Sequence, residues 1–285
     1  MQKTWVWSTT GFTLLRQSHE EIQQICRAAG LAGIEASMEL FLTDSEAELE
    51  TIGAGYREAG LQLDSFHLPF SAEDDIASFY ESLRQQAVDK ARYWMERAVL
   101  LGARVGIQHP TTNRLNVDVE GLDNYLRQLD KSLKVLLPAA EQLGFTITLE
   151  NLPPGEAGGR LSARPEHFAR FAAEFAHPNL GFCLDTGHAL IAAGPEKVGA
   201  FLEVMAPHLK AFHLSDTAGD RDSHLAPGRG LVQWARVFQR AAEMGYSHSM
   251  CIETPPFAHG PDYSLEAWRQ MVEETEGLVD KALAE

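Results

Sequence analysis

The chain has 285 residues, 45% of them hydrophobic, and a formal charge of −16 from 24 Lys and Arg against 40 Asp and Glu. That apolar share is enough for a substantial core and excludes a disordered chain, while a field of this sign repels polyanions and disfavours a nucleic-acid partner unless a local basic patch is built. Cys26, Cys183 and Cys251 lie far apart in apolar sequence, which excludes a disulfide framework or a thiolate zinc cluster; no apolar leader and no run of about 18 apolar residues is present, so a soluble cytoplasmic protein without membrane contact is expected.

Lys3 to Ser8 (KTWVWS) reads as a strand, and Ser18 to Gly30 follows as a helix with a serine cap, an acidic first turn and a terminal glycine. The same phrase recurs. Leu31 to Ala36 precedes a helix over Ser45 to Gly60, Leu63 to His67 a long helix ending near Gly102, and Arg104 to His109 a helix ending near Gly144. Pro138 lies inside the last of these, where the missing backbone donor is expected to bend or interrupt the helix. Phe145 to Glu150, Leu180 to Asp185, Leu209 to Leu214 and Ser249 to Glu253 supply four further strands, and the final helix runs over Ser264 to Ala284. Apolar strands alternating with helices imply a parallel sheet covered by helices. Eight units in this length favour the α/β class as one (β/α)8 TIM barrel domain over residues 1–285, rather than an open doubly wound sheet.

The chemistry gathers at the ends of these runs. DSFH ends at His67, VGIQH at His109, TITLE at Glu150, GFCLD at Asp185, KAFH at His213 and MCIE at Glu253. In a barrel those ends converge on one face, and so many facing carboxylates would repel one another without a cation between them. After His213 a polar loop closed by Pro227, Gly228 and Gly230 adds Asp222 and His224, and His188 follows Asp185 by three residues, as a ligand or as a hydrogen-bond donor behind one. Glu150 and Glu253 form a carboxylate pair across the mouth, placed as metal ligands or as acid and base.

The motifs HLPF, His109-Pro110, LENLP, LDTGHA, FHLSD with the later DSH and PGRG, and CIETP together resemble the xylose isomerase-like TIM barrel superfamily over essentially the whole chain. The resemblance implies one divalent ion, Mn, Zn, Co or Mg, held by Glu150, Asp185, His213 and Glu253. It further implies that Glu150 and Glu253 act as acid and base in a sugar or sugar phosphate isomerase or epimerase working through an enediolate. His188 matches a substrate-oxygen contact, with His67 and His109 beside it. The endonuclease IV branch, a zinc phosphodiesterase, uses nine ligands whose types also fall on His67, His109, Glu150, Asp185, His188, His213, Asp222, His224 and Glu253. A polyol or keto-sugar dehydratase on the same scaffold, and a non-catalytic polyol-binding barrel, are the other readings.

The loops favour a small sugar or polyol over DNA. An abasic-site enzyme must grip phosphates and bend a duplex. The loop after His67 (PFSAEDDIASF) is acidic, the loop after Glu35 (ASMELFLTDSE) lacks a basic residue, and Arg160, Arg164, Arg221 and Arg229 read as rim salt bridges or contacts to an anionic substrate. A homo-oligomer stays open.

Overall fold

The computed structural model describes residues 5–41, 43, 45–155, 158–194, 198–255 and 264–284. Eight parallel strands close a barrel in sequence order: β1 (Trp7–Thr10), β2 (Gly33–Ser37), β3 (Gln62–His67), β4 (Val105–Gln108), β5 (Thr146–Glu150), β6 (Leu180–Asp185), β7 (Leu209–Leu214) and β8 (Met250–Ile252). Closure comes from β1 pairing with β8 through Trp7 and Met250, and with β2 through Ser8 and Gly33. The expected first strand therefore sits too early. Lys3 and Thr4 lie outside the described residues, and pairing runs instead through Ser8, Thr9 and Thr10, which are buried in the barrel although polar. The β4 and β8 ladders stop at Gln108 and Ile252, so His109 and Glu253 are the first residues beyond their strands.

The outer ring holds α1 (His19–Ala29), α2 (Glu46–Glu58), α3 (Glu81–Leu101), α4 (Val117–Glu120), α5 (Leu122–Leu143), α6 (Pro165–Glu174), α7 (Thr186–Ala193), α8 (Val198–Met205), α9 (Trp234–Glu243) and α10 (Leu265–Ala284). At the start of α1, Ser18 and Glu21 form a reciprocal capping box, and Gly30 ends the helix at φ 76°. Pro138 does not interrupt α5, which continues to Leu143. Both Pro138 and Lys134, whose carbonyl loses its donor, lie on the solvent side, so water can satisfy the freed group. Between strands and helices the core is aromatic, with Phe168 packed edge-on against Phe171, Phe182 and Phe201. Cys26, Cys183 and Cys251 are free and buried, as the sequence implies. No helix is long and apolar enough to cross a membrane among the described residues.

One member of this layer carries a pH-dependent cost. His167 on α6 is buried with no partner for Nδ1 among the described residues, and burial, reinforced by Arg164, pulls its pKa down to about 4. The unfolded chain binds a proton below about pH 6.5 that the native imidazole refuses, so stability falls as pH drops from about 6.5 towards about 4. His167→Gln should remove about 2–3 kcal/mol of that acid loss, read as the difference between urea unfolding at pH 7 and at pH 4. An identical acid loss in both proteins would show that His167 is not its source.

Candidate metal and substrate site

Glu150 and Asp185 close β5 and β6, His213 lies one residue before the end of β7, and Glu253 follows β8 directly. All four side chains are buried, and their ligand atoms lie within 4.8 Å of one another. His213 Nδ1 is 3.0 Å from both Glu150 Oε1 and Glu253 Oε2. Asn151 fixes the strand ends beneath the cluster: its Oδ1 accepts from Asp185 N at 2.7 Å and its Nδ2 donates to Asp185 O at 2.8 Å. Asp185 also caps α7, with Oδ1 accepting from His188 N at 2.6 Å.

The donor set fits a divalent cation. Among the described residues, Glu150 Oε2, Asp185 Oδ2 and Glu253 Oε2 are buried and accept no hydrogen bond, so three carboxylates each keep an unspent oxygen in a space of ligand dimensions. A buried carboxylate oxygen without a hydrogen bond is costly, and mixed carboxylate and imidazole donors suit Mn, Co, Zn or Mg. The electrostatics show the same crowding. Burial pushes the Asp185 carboxyl up to about 8 against the pull of His188, with the charges of Glu253 and Glu150 adding to the rise. Burial also opposes charge on Glu150, but His213 and His109 outweigh it and hold the carboxyl well below its ordinary range.

Around this quartet the other expected residues converge. His109 Nε2 approaches Glu150 Oε2 to 3.1 Å without the alignment of a hydrogen bond, and His67 Nε2 lies 3.7 Å from the same oxygen. On the opposite flank Asp222 Oδ2 sits 3.2 Å from His188 Nε2 and 3.4 Å from His224 Nε2. His188 Nδ1 bonds to Asn151 O at 2.9 Å and His224 Nδ1 to Glu253 O at 2.9 Å. A cavity of about 410 Å³ opens above, with Phe12, Leu15 and Phe70 as apolar walls and His67, His109 and His224 among its polar ones. That volume is of small-molecule size.

The sequence pattern of the xylose isomerase-like TIM barrel family matches residues 23–276. The chain belongs to this family. Among curated relatives of this xylose isomerase-like barrel, an uncharacterised protein of Methanocaldococcus jannaschii is 30% identical over 190 residues, covering 66% of this chain and 62% of its own length. A probable endonuclease 4 of Solibacter usitatus is 30% identical over 170 residues, 53% of this chain and 54% of its own. Among solved structures, D-psicose 3-epimerase of Clostridium cellulolyticum with D-tagatose superposes with a TM-score of 0.81 at 15% identity, covering 98% and 99% of the two chains. A D-tagatose 3-epimerase-like protein superposes with a TM-score of 0.78 at 21% identity, again over 98% and 99%. At these identities the structural likeness is one of fold.

Two features of this xylose isomerase-like barrel differ from the sequence reading. The acidic loop after His67 does not place all its charge at the mouth: Asp74 is buried and paired with Lys90 at 2.9 Å, and buried Asp75 accepts from Thr111 Oγ1 at 3.0 Å and Asn113 Nδ2 at 2.7 Å. Its composition alone is thus no guide to the field at the mouth. Arg164 and Arg229 are rim salt bridges, to Asp118 and Glu274, whereas Arg160 donates to the carbonyls of Thr111 and Asn113. The second feature is Glu35. A search of strand ends passes over it because it stands in mid-strand, yet it is 2% exposed and its carboxylate meets His213 Nε2. Its signal was a lone charge inside the apolar run LAGIEA.

Proposed function

We propose that the protein is a divalent-metal-dependent isomerase or epimerase of a sugar or sugar phosphate, acting by proton transfer through an enediolate at the C-terminal mouth of the barrel. The observation that carries this reading is the trio of buried, unsatisfied oxygens on Glu150, Asp185 and Glu253 facing His213. An ion held by these four residues would supply positive charge beside neighbouring substrate oxygens. Glu150 and Glu253 reach the cavity from β5 and from the end of β8, on different sides of the barrel. One removes the proton next to the carbonyl, and the other returns a proton from its own side, which inverts that carbon in an epimerase. His188, His67 and His109 hold substrate oxygens. The sugar-epimerase superpositions favour a ketose, and D-psicose and D-tagatose are the first substrates to assay.

In heavy water an active ketose should acquire deuterium on the carbon next to its carbonyl. Complete retention of the original hydrogen during turnover points instead to a hydride shift, with the glutamates as ligands only.

A second reading has its own observation. His67, His109 and Glu150 form another ligand cluster within 4.8 Å, and Asp222 bridges His188 and His224, so the nine ligand types of an endonuclease IV-type phosphodiesterase come together. Metal content separates the two readings. About one ion per chain, with activity lost on chelation, is expected; three zinc ions and metal-dependent incision of a duplex carrying an abasic site would replace the sugar reading.

A further inference from the structure

A barrel interior is ordinarily filled by branched apolar side chains, so a buried glutamate in the middle of β2 needs a reason. Glu35 does not belong to the quartet. It lies on the far side of His213, where Oε1 and Oε2 are each 3.1 Å from Nε2, while Nδ1 of the same ring faces Glu150 and Glu253. Ser65, the β3 residue paired in register with Glu35, donates Oγ–H to Oε2 at 2.7 Å and so fixes the carboxylate in turn. Glu35 also lines both the mouth cavity and a second cavity of about 530 Å³ that includes Ser8, Ser65 and Cys251. It therefore stands between the two.

We propose that Glu35 is the positioning residue of the metal centre: by accepting the Nε2 proton of His213 it fixes the ring and leaves Nδ1 as the atom that faces the ion. This rests on the metal reading above. An imidazole ligand has one lone pair to give, and the nitrogen that keeps its proton decides which. Both ring nitrogens face carboxylates, Nδ1 those of Glu150 and Glu253 and Nε2 that of Glu35; an ion in the quartet would take the Nδ1 lone pair, and the Glu35 oxygens, both acceptors, would then keep the remaining hydrogen on Nε2. Were Nε2 the ligand, its lone pair would face the Glu35 carboxylate and not the quartet. Cys251 is near enough to join Glu35 and His213 in a cluster within 4.8 Å. Both Glu35 oxygens, however, are already bonded, Oε1 to His213 and Oε2 to His213 and Ser65, whereas the three carboxylates above each keep one oxygen without a hydrogen bond. Glu35 and Ser65 are therefore the support of His213, and the quartet is the site.

The test uses the 285-residue chain stripped of metal. Removing such an outer partner typically weakens metal affinity about 10–100-fold. Titration calorimetry with Mn²⁺ should show that loss for Glu35→Ala. Glu35→Gln, whose amide oxygen still accepts from Nε2–H, should recover most of it, and Ser65→Ala should lose a few-fold. Long-range ¹H–¹⁵N spectra of the Zn²⁺-loaded wild type should show His213 protonated on Nε2 and coordinated through Nδ1, a signature that a merely structural glutamate would not determine. Should Glu35→Ala fail to fold, the glutamine variant and the wild-type spectrum still decide. Wild-type affinity in both Glu35 variants, or coordination through Nε2, overturns the proposal. A wild type that takes up no ion overturns the metal reading first and this inference with it.

Discussion

Glu150→Gln should lower turnover of an active ketose by about 10³-fold or more and suppress deuterium uptake from heavy water. The substitution preserves shape and removes charge. Four histidines surround the carboxylate, with His213 Nδ1 at 3.0 Å, His109 Nε2 at 3.1 Å, His188 Nδ1 at 3.6 Å and His67 Nε2 at 3.7 Å. His213 and His109 hold Glu150 ionised against the cost of its burial, so what the variant lacks at neutral pH is a full negative charge. An amide can neither take the substrate proton nor bind a cation as well, and its NH₂ group would be turned on one of those rings. Two losses are therefore mixed, and the assay must run at saturating metal with ion content measured. Glu253→Gln should behave alike, because its Oε2 also lies 3.0 Å from His213 Nδ1 and accepts no hydrogen bond among the described residues. A fully loaded Glu150 variant that keeps turnover within about tenfold of wild type would remove Glu150 from the acid–base pair.

Much of this site was legible because a β-strand that is buried on both faces reads as an apolar run, and the run stops where the chain reaches the mouth. Glu150 and Asp185 stand at those stops, and His213 one residue short of the end of β7. Helix ends were equally plain where the chain turns into the left-handed conformation that favours glycine, as at Gly102 with φ 110° and Gly144 with φ 60°. What failed to show depends on contacts between distant residues. β1 is built from polar Ser8, Thr9 and Thr10, and two of these hydroxyls find partners that only the folded barrel supplies: Thr9 Oγ1 donates to Ile252 O at 2.9 Å, and Ser8 Oγ accepts from Ser249 Oγ at 2.8 Å. Asp74 reads as a surface charge until Lys90, sixteen residues on and within α3, is seen to neutralise it. Glu35 gives the fullest case, since its partner His213 lies 178 residues later and only closure of the barrel brings them together.

Asp216→Ala should cost about 3–5 kcal/mol of stability, more than most single changes in this chain, because it breaks a buried network and leaves its donors unpaired. Asp216 is fully buried just beyond β7, at the root of the loop that carries Asp222 and His224. Its Oδ1 accepts from Thr217 N at 2.9 Å and Val232 N at 3.0 Å; its Oδ2 accepts from Gly228 N at 3.0 Å and Trp234 Nε1 at 2.8 Å. One carboxylate thus gathers both ends of the loop and the start of α9. Its backbone adds two bonds to Leu225, with N donating at 2.7 Å and O accepting at 2.8 Å. The loop packs so closely on this anchor that a Cβ at Gly230 would come within 2.3 Å of both Asp216 Oδ1 and Thr217 O, which is why the PGRG turn needs its last glycine. In Asp216→Ala three backbone N–H groups and an indole N–H lose their acceptor together, and Asp222 loses the frame that holds it between His188 and His224. Urea unfolding of the metal-free protein should therefore show the stability loss, and substrate affinity should fall in whatever fraction stays folded at low temperature. Asp216→Asn keeps one acceptor oxygen and should lie between the two. A loss below about 1 kcal/mol for the alanine variant would mean that water replaces the carboxylate and that the loop is held elsewhere.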